Sequence, residues 1–332
     1  MAFVTPSNLE QLQAVEIPDA AISARNLTKR FGAEAAVDHA TFDVPRGSVF
    51  GFIGPSGSGK TTTIRLLTGI YKPTEGQVVV LGKDPTKFSH KNRAKLGYMP
   101  QLFVLYPNLT VWENLNFAAS IYGMSLFRGK RLNQVLDFVE LREHRHKLVR
   151  NISGGMQRRL SLATTLVHNP ELIFLDEPTA GVDPVLRRKF WDHFKELQHQ
   201  NRTLFVTTQY VNEASYCDLV GVMANGHLLM VDTPQGLRKR AFKGDVINIR
   251  TVEPIDYMVE QQLNNLAMVR GSVIRQGPSK MRMVVDEART AIPDLMEWMR
   301  SKNIGVDSVE EYLPPFDDVF VELVKDQEPT DA

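Results

Sequence analysis

One octapeptide, Gly54-Pro55-Ser56-Gly57-Ser58-Gly59-Lys60-Thr61, constrains this chain more than any other stretch. Its spacing is G-x-x-x-x-G-K-[ST]. Residues 49–53 before it are short, apolar and bounded by glycines, as a buried strand would be. Residues 62–69 after it read as a helix stopping near Gly69. Glycines permit backbone angles that other residues avoid, so successive N–H groups can turn inward around a phosphate. The helix start adds partial positive charge. Lys60 is then expected to reach the β- and γ-phosphates, and the Thr61 hydroxyl to ligate Mg²⁺. The pattern predicts binding of a nucleoside triphosphate.

A second apolar run, residues 172–175, ends in Asp176-Glu177-Pro178 and reads as a central parallel strand. Open parallel sheets place their chemistry at the carboxyl ends of such strands. Asp176 there can hold Mg²⁺ through its water shell, and Glu177 can orient and deprotonate an attacking water. Ser153-Gly154-Gly155 opens a helix and fits two roles. It is either an N-cap with a flexible lead-in or an anion site made of a hydroxyl and two N–H groups. Phe31 fits either the core or a ring presented to a nucleotide base.

Composition narrows the class. A length of 332 residues holds two or three domains, and 43% hydrophobic with 23% charged residues is ordinary for a soluble protein. A net charge of +1 points to neither nucleic acid nor a polybasic membrane anchor. The single cysteine, Cys217, excludes an intrachain disulfide and fits a reducing compartment. No apolar run approaches the roughly 20 residues of a spanning helix, and the N-terminal residues lack the pattern of a secretory signal.

Strands and helices alternate around the octapeptide. Strands are expected at 21–25, 40–44, 49–53, 76–81, 172–175 and 203–208, with a helical stretch over 108–168 and a helix over 184–200. A hairpin around Asn225-Gly226 follows. This predicts an α/β domain with a largely parallel sheet over residues 21–240, a helical subdomain at about 102–168, and a mobile extension over 1–20. Near residue 241 the pattern becomes β-α-β-β-α-β plus a closing helix. That order predicts a small α+β, ferredoxin-like domain over 241–326, with a tail at 327–332.

Read together, these residues resemble an ABC transporter ATP-binding subunit over about residues 21–240. Phe31 matches the aromatic A-loop, Gly54 to Thr61 Walker A, and Gln101 the Q-loop. Ile152-Ser153-Gly154-Gly155-Met156 matches the signature, residues 172–177 Walker B, and Ala180-Gly181-Val182-Asp183 the D-loop. Met156-Gln157-Arg158-Arg159-Leu160 and Pro314-Pro315-Phe316-Asp317-Asp318-Val319-Phe320 resemble the ABC-2-type branch, which exports drugs and lipids.

The resemblance implies a P-loop ATPase whose nucleotide-binding residues are Phe31, Gly54, Pro55, Ser56, Gly57, Ser58, Gly59, Lys60, Thr61, Thr62, Gln101, Ser153, Gly154, Gly155 and Asp183. Thr61, Gln101 and Asp176 would serve Mg²⁺. Glu177, Gln209 and Lys60 would act in catalysis. Two such chains, expected as a homodimer rather than a heterodimer, would pair head to tail, each ATP lying between one P-loop and the partner's Ser153 region. A separate transmembrane permease chain would meet the segment from Gln101 to about Tyr122, placing the protein peripherally on the cytoplasmic face of the membrane, with no nucleic-acid partner. Two residues depart from the pattern. Met156 stands where the signature has glutamine, and Gln209 stands where the switch loop has histidine. Glutamine donates a hydrogen bond but carries no positive charge, so slowed hydrolysis is expected. The alternatives are a soluble ABC-type ATPase that regulates or remodels a complex without transport, and a weakly active member of a heterodimer.

Overall fold

The computed structural model describes residues 19–102 and 104–325. Most of the expected extension (1–20) and all of the expected tail (327–332) lie outside the described residues. Two compact units divide the chain, one ending at Val231 and the other starting at Asp232.

The first unit opens with a long hairpin, β1 (Ile22–Phe31) and β2 (Glu34–Val44), followed by β3 (Val49–Ile53) and α1 (Lys60–Leu67). Then come β4 (Glu75–Val80), α2 (His90–Arg93), β5 (Leu96–Met99), α3 (Val111–Ile121), α4 (Gly129–Phe138) and α5 (Gly154–Leu166). The unit closes with β6 (Leu172–Asp176), α6 (Pro184–His199), β7 (Thr203–Thr208), β8 (Leu219–Ala224) and β9 (His227–Asp232).

One sheet carries these strands in the order β4-β1-β2-β9-β8-β3-β7-β6-β5. The run from β8 to β5 is parallel, and β1, β2 and β4 pair antiparallel at the other edge. Phe50 and Phe52, two residues apart on β3, share one face, as strand periodicity requires. They meet Phe42 and Phe205, with Phe50 stacked on Phe205 at 5.4 Å. These buried rings anchor the core under the strand that leads into the octapeptide. Within the expected helical stretch, α3 begins with a full capping box. Thr110 Oγ1 accepts from Glu113 N, and the Glu113 carboxylate accepts from Thr110 N.

Two expectations need correction. Residues 21–25 and 40–44 are the ends of a single hairpin reaching to Phe31 and Glu34. Backbone bulges near Asn26 (φ +47°) and His39 (φ +49°) break the alternation that would reveal its length. The boundary also falls earlier than residue 241. Residues 234–242 form α7 (Pro234–Phe242), which belongs to the second unit because Arg238 stacks over Phe316 at 4.2 Å and bonds Pro314 O at 3.1 Å.

The second unit continues with β10 (Asp245–Thr251), α8 (Tyr257–Asn264), β11 (Val269–Gly277), β12 (Lys280–Val285), α9 (Ala288–Ser301), β13 (Val306–Tyr312) and α10 (Phe316–Lys325). Its sheet is antiparallel in the order β11-β12-β10-β13. Ile247, Ile249, Met281, Met283, Leu295 and Met299 fill its core.

Candidate functional site

All five residues of β3 are buried, and the chain leaves it directly into the phosphate loop. Gly57 (φ +80°) and Gly59 (φ +102°) adopt left-handed backbone angles. A Cβ at Gly54 would collide with Met223 O, and one at Gly59 with Ala36 O, so both positions require glycine. Gly57 faces open space. Ser58 is buried, and its Oγ has no hydrogen-bond partner. A buried orphan hydroxyl in a glycine-rich loop that opens a helix is a group that a phosphate ligand could satisfy.

Lys60 starts α1 and is only 4% exposed. Its Nζ donates to Gly54 O and Pro55 O, both at 2.9 Å, and lies 3.6 Å from Glu177 Oε1. Burial holds its ammonium below the usual lysine range, opposed by the Glu177 and Asp176 charges. Thr62 follows, half-buried, in the same turn.

Parallel register sets Asp176, the last residue of β6, beside Thr207 on β7. Asp176 Oδ1 accepts from Thr207 Oγ1 at 2.7 Å and from Thr61 Oγ1 at 3.2 Å. A carboxylate and a hydroxyl at this separation are hard oxygen donors, and they fit a Mg²⁺ ion. Gln101 is placed elsewhere: its Nε2 donates to Glu177 Oε2 at 2.9 Å.

Glu177 has φ +48°, a region costly for a residue with a side chain. Its N–H donates to Thr207 O and Thr207 Oγ1, at 3.1 and 3.0 Å, and its carbonyl accepts from Arg158 Nη2 at 2.6 Å. These bonds hold the strained backbone and aim the carboxylate at Lys60 and Gln101. Gln209 reaches the same loop, its Oε1 accepting from Ser56 Oγ at 3.0 Å.

Phe31 is 49% exposed, which settles its two readings against the core. Its ring meets Tyr71 edge-on at 5.5 Å, with Lys29 Nζ at 5.3 Å from the ring centre. Ser153 and Asp183 are exposed N-caps. Ser153 Oγ accepts from Met156 N, and Asp183 Oδ1 from Val185 N and Leu186 N. Neither bond reaches the phosphate loop, and Gly154 and Gly155 begin the helix that Ser153 caps.

The sequence reading missed Arg158. This arginine of α5 is 4% exposed and donates to four carbonyls: Gln101 at 2.9 Å, Glu177 at 2.6 Å, Pro178 at 2.8 Å and Ala180 at 3.1 Å. It ties the helix behind Ser153 to the chain beside both Gln101 and Glu177. Its helical spacing with Ser161, Leu162 and Thr165, all buried, is the signal that could have found it.

The sequence profile of the family described as "ABC transporter" matches residues 37–180. The linearmycin resistance ATP-binding protein LnrL of Bacillus subtilis is 31% identical over 304 residues, 91% of this chain and 97% of that protein. This chain belongs to the ABC transporter family. Other members are similar too. The Nod factor export ATP-binding protein I of Ralstonia nicotianae is 35% identical over 230 residues, covering 69% of this chain and 72% of that one. The probable multidrug ABC transporter ATP-binding protein YbhF of Escherichia coli is 42% identical over 221 residues, 66% of this chain, and this chain spans only 38% of its length.

Among solved structures, an ATP-binding subunit of an ABC transporter superposes with a TM-score of 0.61 at 26% identity, over 66% of this chain and 92% of its own. A dimeric ATP-binding cassette in a post-hydrolysis state with ADP and Pi superposes with a TM-score of 0.59 at 28% identity, over 64% and 98%. The family's ATP-binding fold therefore accounts for the first unit.

Proposed function

We propose that this chain binds and hydrolyses ATP to drive an ABC-type exporter. The convergence of Lys60 and Gln101 on Glu177 beside the phosphate loop carries the reading. Gly54 to Gly59 and Lys60 hold the β- and γ-phosphates, and Phe31 stacks on the adenine. Thr61 and Asp176 hold Mg²⁺, which when bound neutralises charge on the phosphates. Glu177 takes a proton from a water whose oxygen attacks the γ-phosphorus, and ADP leaves. Gln101 orients the Glu177 carboxylate, and Gln209 bonds the γ-phosphate from the far side of the loop.

Ser153, Gly154 and Gly155 act in trans. The exposure of Ser153 and Gly154, and the lack of any bond from Ser153 to this chain's own loop, support a site completed by a second copy, as does the dimeric state of the structural neighbour. ATP binding closes the homodimer, Asp183 lies at its seam, and hydrolysis reopens it. The groove lined by Tyr98, Val104, Tyr106, Phe117, Ile121 and Tyr122 receives a separate transmembrane chain. Among the described residues no helix is long and apolar enough to cross a membrane. Export is supported by the name of the Ralstonia relative, a Nod factor export ATP-binding protein, and the cytoplasmic face by where ATP is supplied.

The assembly is tested by isolating the tagged chain from detergent-solubilised native membranes. The expected companion is a protein with several hydrophobic spans. Recovery without one would favour a non-transport ATPase.

A further inference from the structure

The net charge of +1 conceals an uneven distribution. Residues 85–136 hold seven lysines and arginines against one acid, Glu113. Several of those cations are engaged locally. Lys87 pairs with Asp84 and Lys95 with Glu171, while Arg131 bonds the carbonyls that end α5. Lys91, Arg93 and Lys130 are exposed, with no acidic partner among the described residues.

The connection from α3 to α4 displays two large apolar side chains to water. Leu126 is 88% exposed and Phe127 99%. The display is built into the loop. Arg128, 8% exposed, turns back under it and donates to Asn116 Oδ1 at 2.8 Å, Met124 O at 3.1 Å and Ser120 Oγ at 2.5 Å. The start of the loop abuts α2, since a Cβ on Gly123 would lie 3.8 Å from His90 Cε1. The loop that carries the apolar tip thus starts beside the helix that carries Lys91 and Arg93, and Lys130 follows the tip in the chain.

We propose that this tip inserts into the headgroup region of an anionic lipid leaflet. An exposed apolar pair needs a partner phase, and a surround in which cations outnumber acids selects a negatively charged one. The three free cations supply attraction that fades with salt, and Leu126 and Phe127 supply burial that does not. Contact with lipid adds a second hold on the membrane beside any transmembrane chain.

The test uses the full chain without nucleotide and without a transmembrane chain, so its outcome is independent of ATP hydrolysis. Co-sedimentation with phosphatidylcholine vesicles is compared with vesicles in which about a third of the lipid is phosphatidylglycerol. Binding to the anionic vesicles is expected to be stronger by roughly tenfold or more. The double variant Leu126→Ser/Phe127→Ser should lose on the order of tenfold in binding. Lys91→Gln/Arg93→Gln/Lys130→Gln should erase the preference for anionic lipid. In Phe127→Trp, indole emission should shift to the blue on the anionic vesicles alone. Two results would overturn the proposal: no binding to either vesicle, or equal binding by the Leu126/Phe127 variant.

Discussion

Gln101 Nε2 donates to Glu177 Oε2 at 2.9 Å, so the loop after β5 grips the carboxylate at the end of β6 directly. The same carboxylate lies 3.6 Å from the Lys60 ammonium. The proposed base is thus held by the groups that would flank the γ-phosphate. On the proposed mechanism, a phosphate in the loop would compete for Lys60 and free Glu177 to take up a water.

Removing the arginine beneath this arrangement should be costly. In Arg158→Ala four backbone carbonyls lose a buried charged donor, and losses of this kind reach about 3 kcal/mol or more. Thermal and urea unfolding should register the loss. Arg158→Lys replaces a planar fork by one point donor and should recover only part of the stability. Full stability in Arg158→Ala would show that the carbonyls find other partners.

Gln209 sits on the loop through Ser56. In Gln209→His a charged donor replaces a neutral one, and charge-assisted hydrogen bonds are roughly twice as strong, so kcat for ATP should rise about tenfold. Unchanged turnover would mean that Gln209 does not limit hydrolysis.

Phe31 is free to stack because the hairpin carries it out of the core. Phe31→Ala should weaken ATP binding by about 1–3 kcal/mol, measured by calorimetry, with no change in fold. Equal affinity would remove it from the base site.

Stability should fall in mild acid. His168 stacks on Tyr122 at 3.5 Å and bonds Leu96 O at 2.8 Å; burial, with Arg131 nearby, lowers its pKa below 6.5. Burial also lowers His193, against the opposing charges of Glu196, Glu140 and Asp192. A depressed folded-state value means that the unfolded chain binds more protons below pH 6.5. The contribution of each histidine is therefore present above that pH and is lost as pH falls toward the folded value. Urea unfolding compared near pH 7.5 and about pH 5.5 should show this decline, with a shallower one in His168→Gln. An unchanged slope in that variant would assign the acid sensitivity elsewhere.

Much of the frame was legible. The strands expected at 49–53 and 203–208 are β3 and β7 with the same limits, because each is a continuous apolar run with clear stops. The β1–β2 hairpin was underestimated because its bulges shift the alternation. Helix α7 was missed because it buries only Leu237 and Ala241, too few to show a period. Site residues on one short motif could be read, whereas those joined by register could not. That Thr207 bonds both Asp176 and the Glu177 amide depends on which strands lie side by side. The reach of Arg158 to four carbonyls depends on where α5 packs.

The most direct measurement is phosphate release by Glu177→Gln alongside its ATP binding and its oligomeric state in ATP. The amide keeps the size of the side chain but accepts no proton. ATP should bind with near wild-type affinity and gather the variant into a stable dimer, while turnover falls by roughly 10²–10⁴-fold. Turnover at the wild-type rate would contradict the assignment of Glu177 as the base, and with it the account of how this site works.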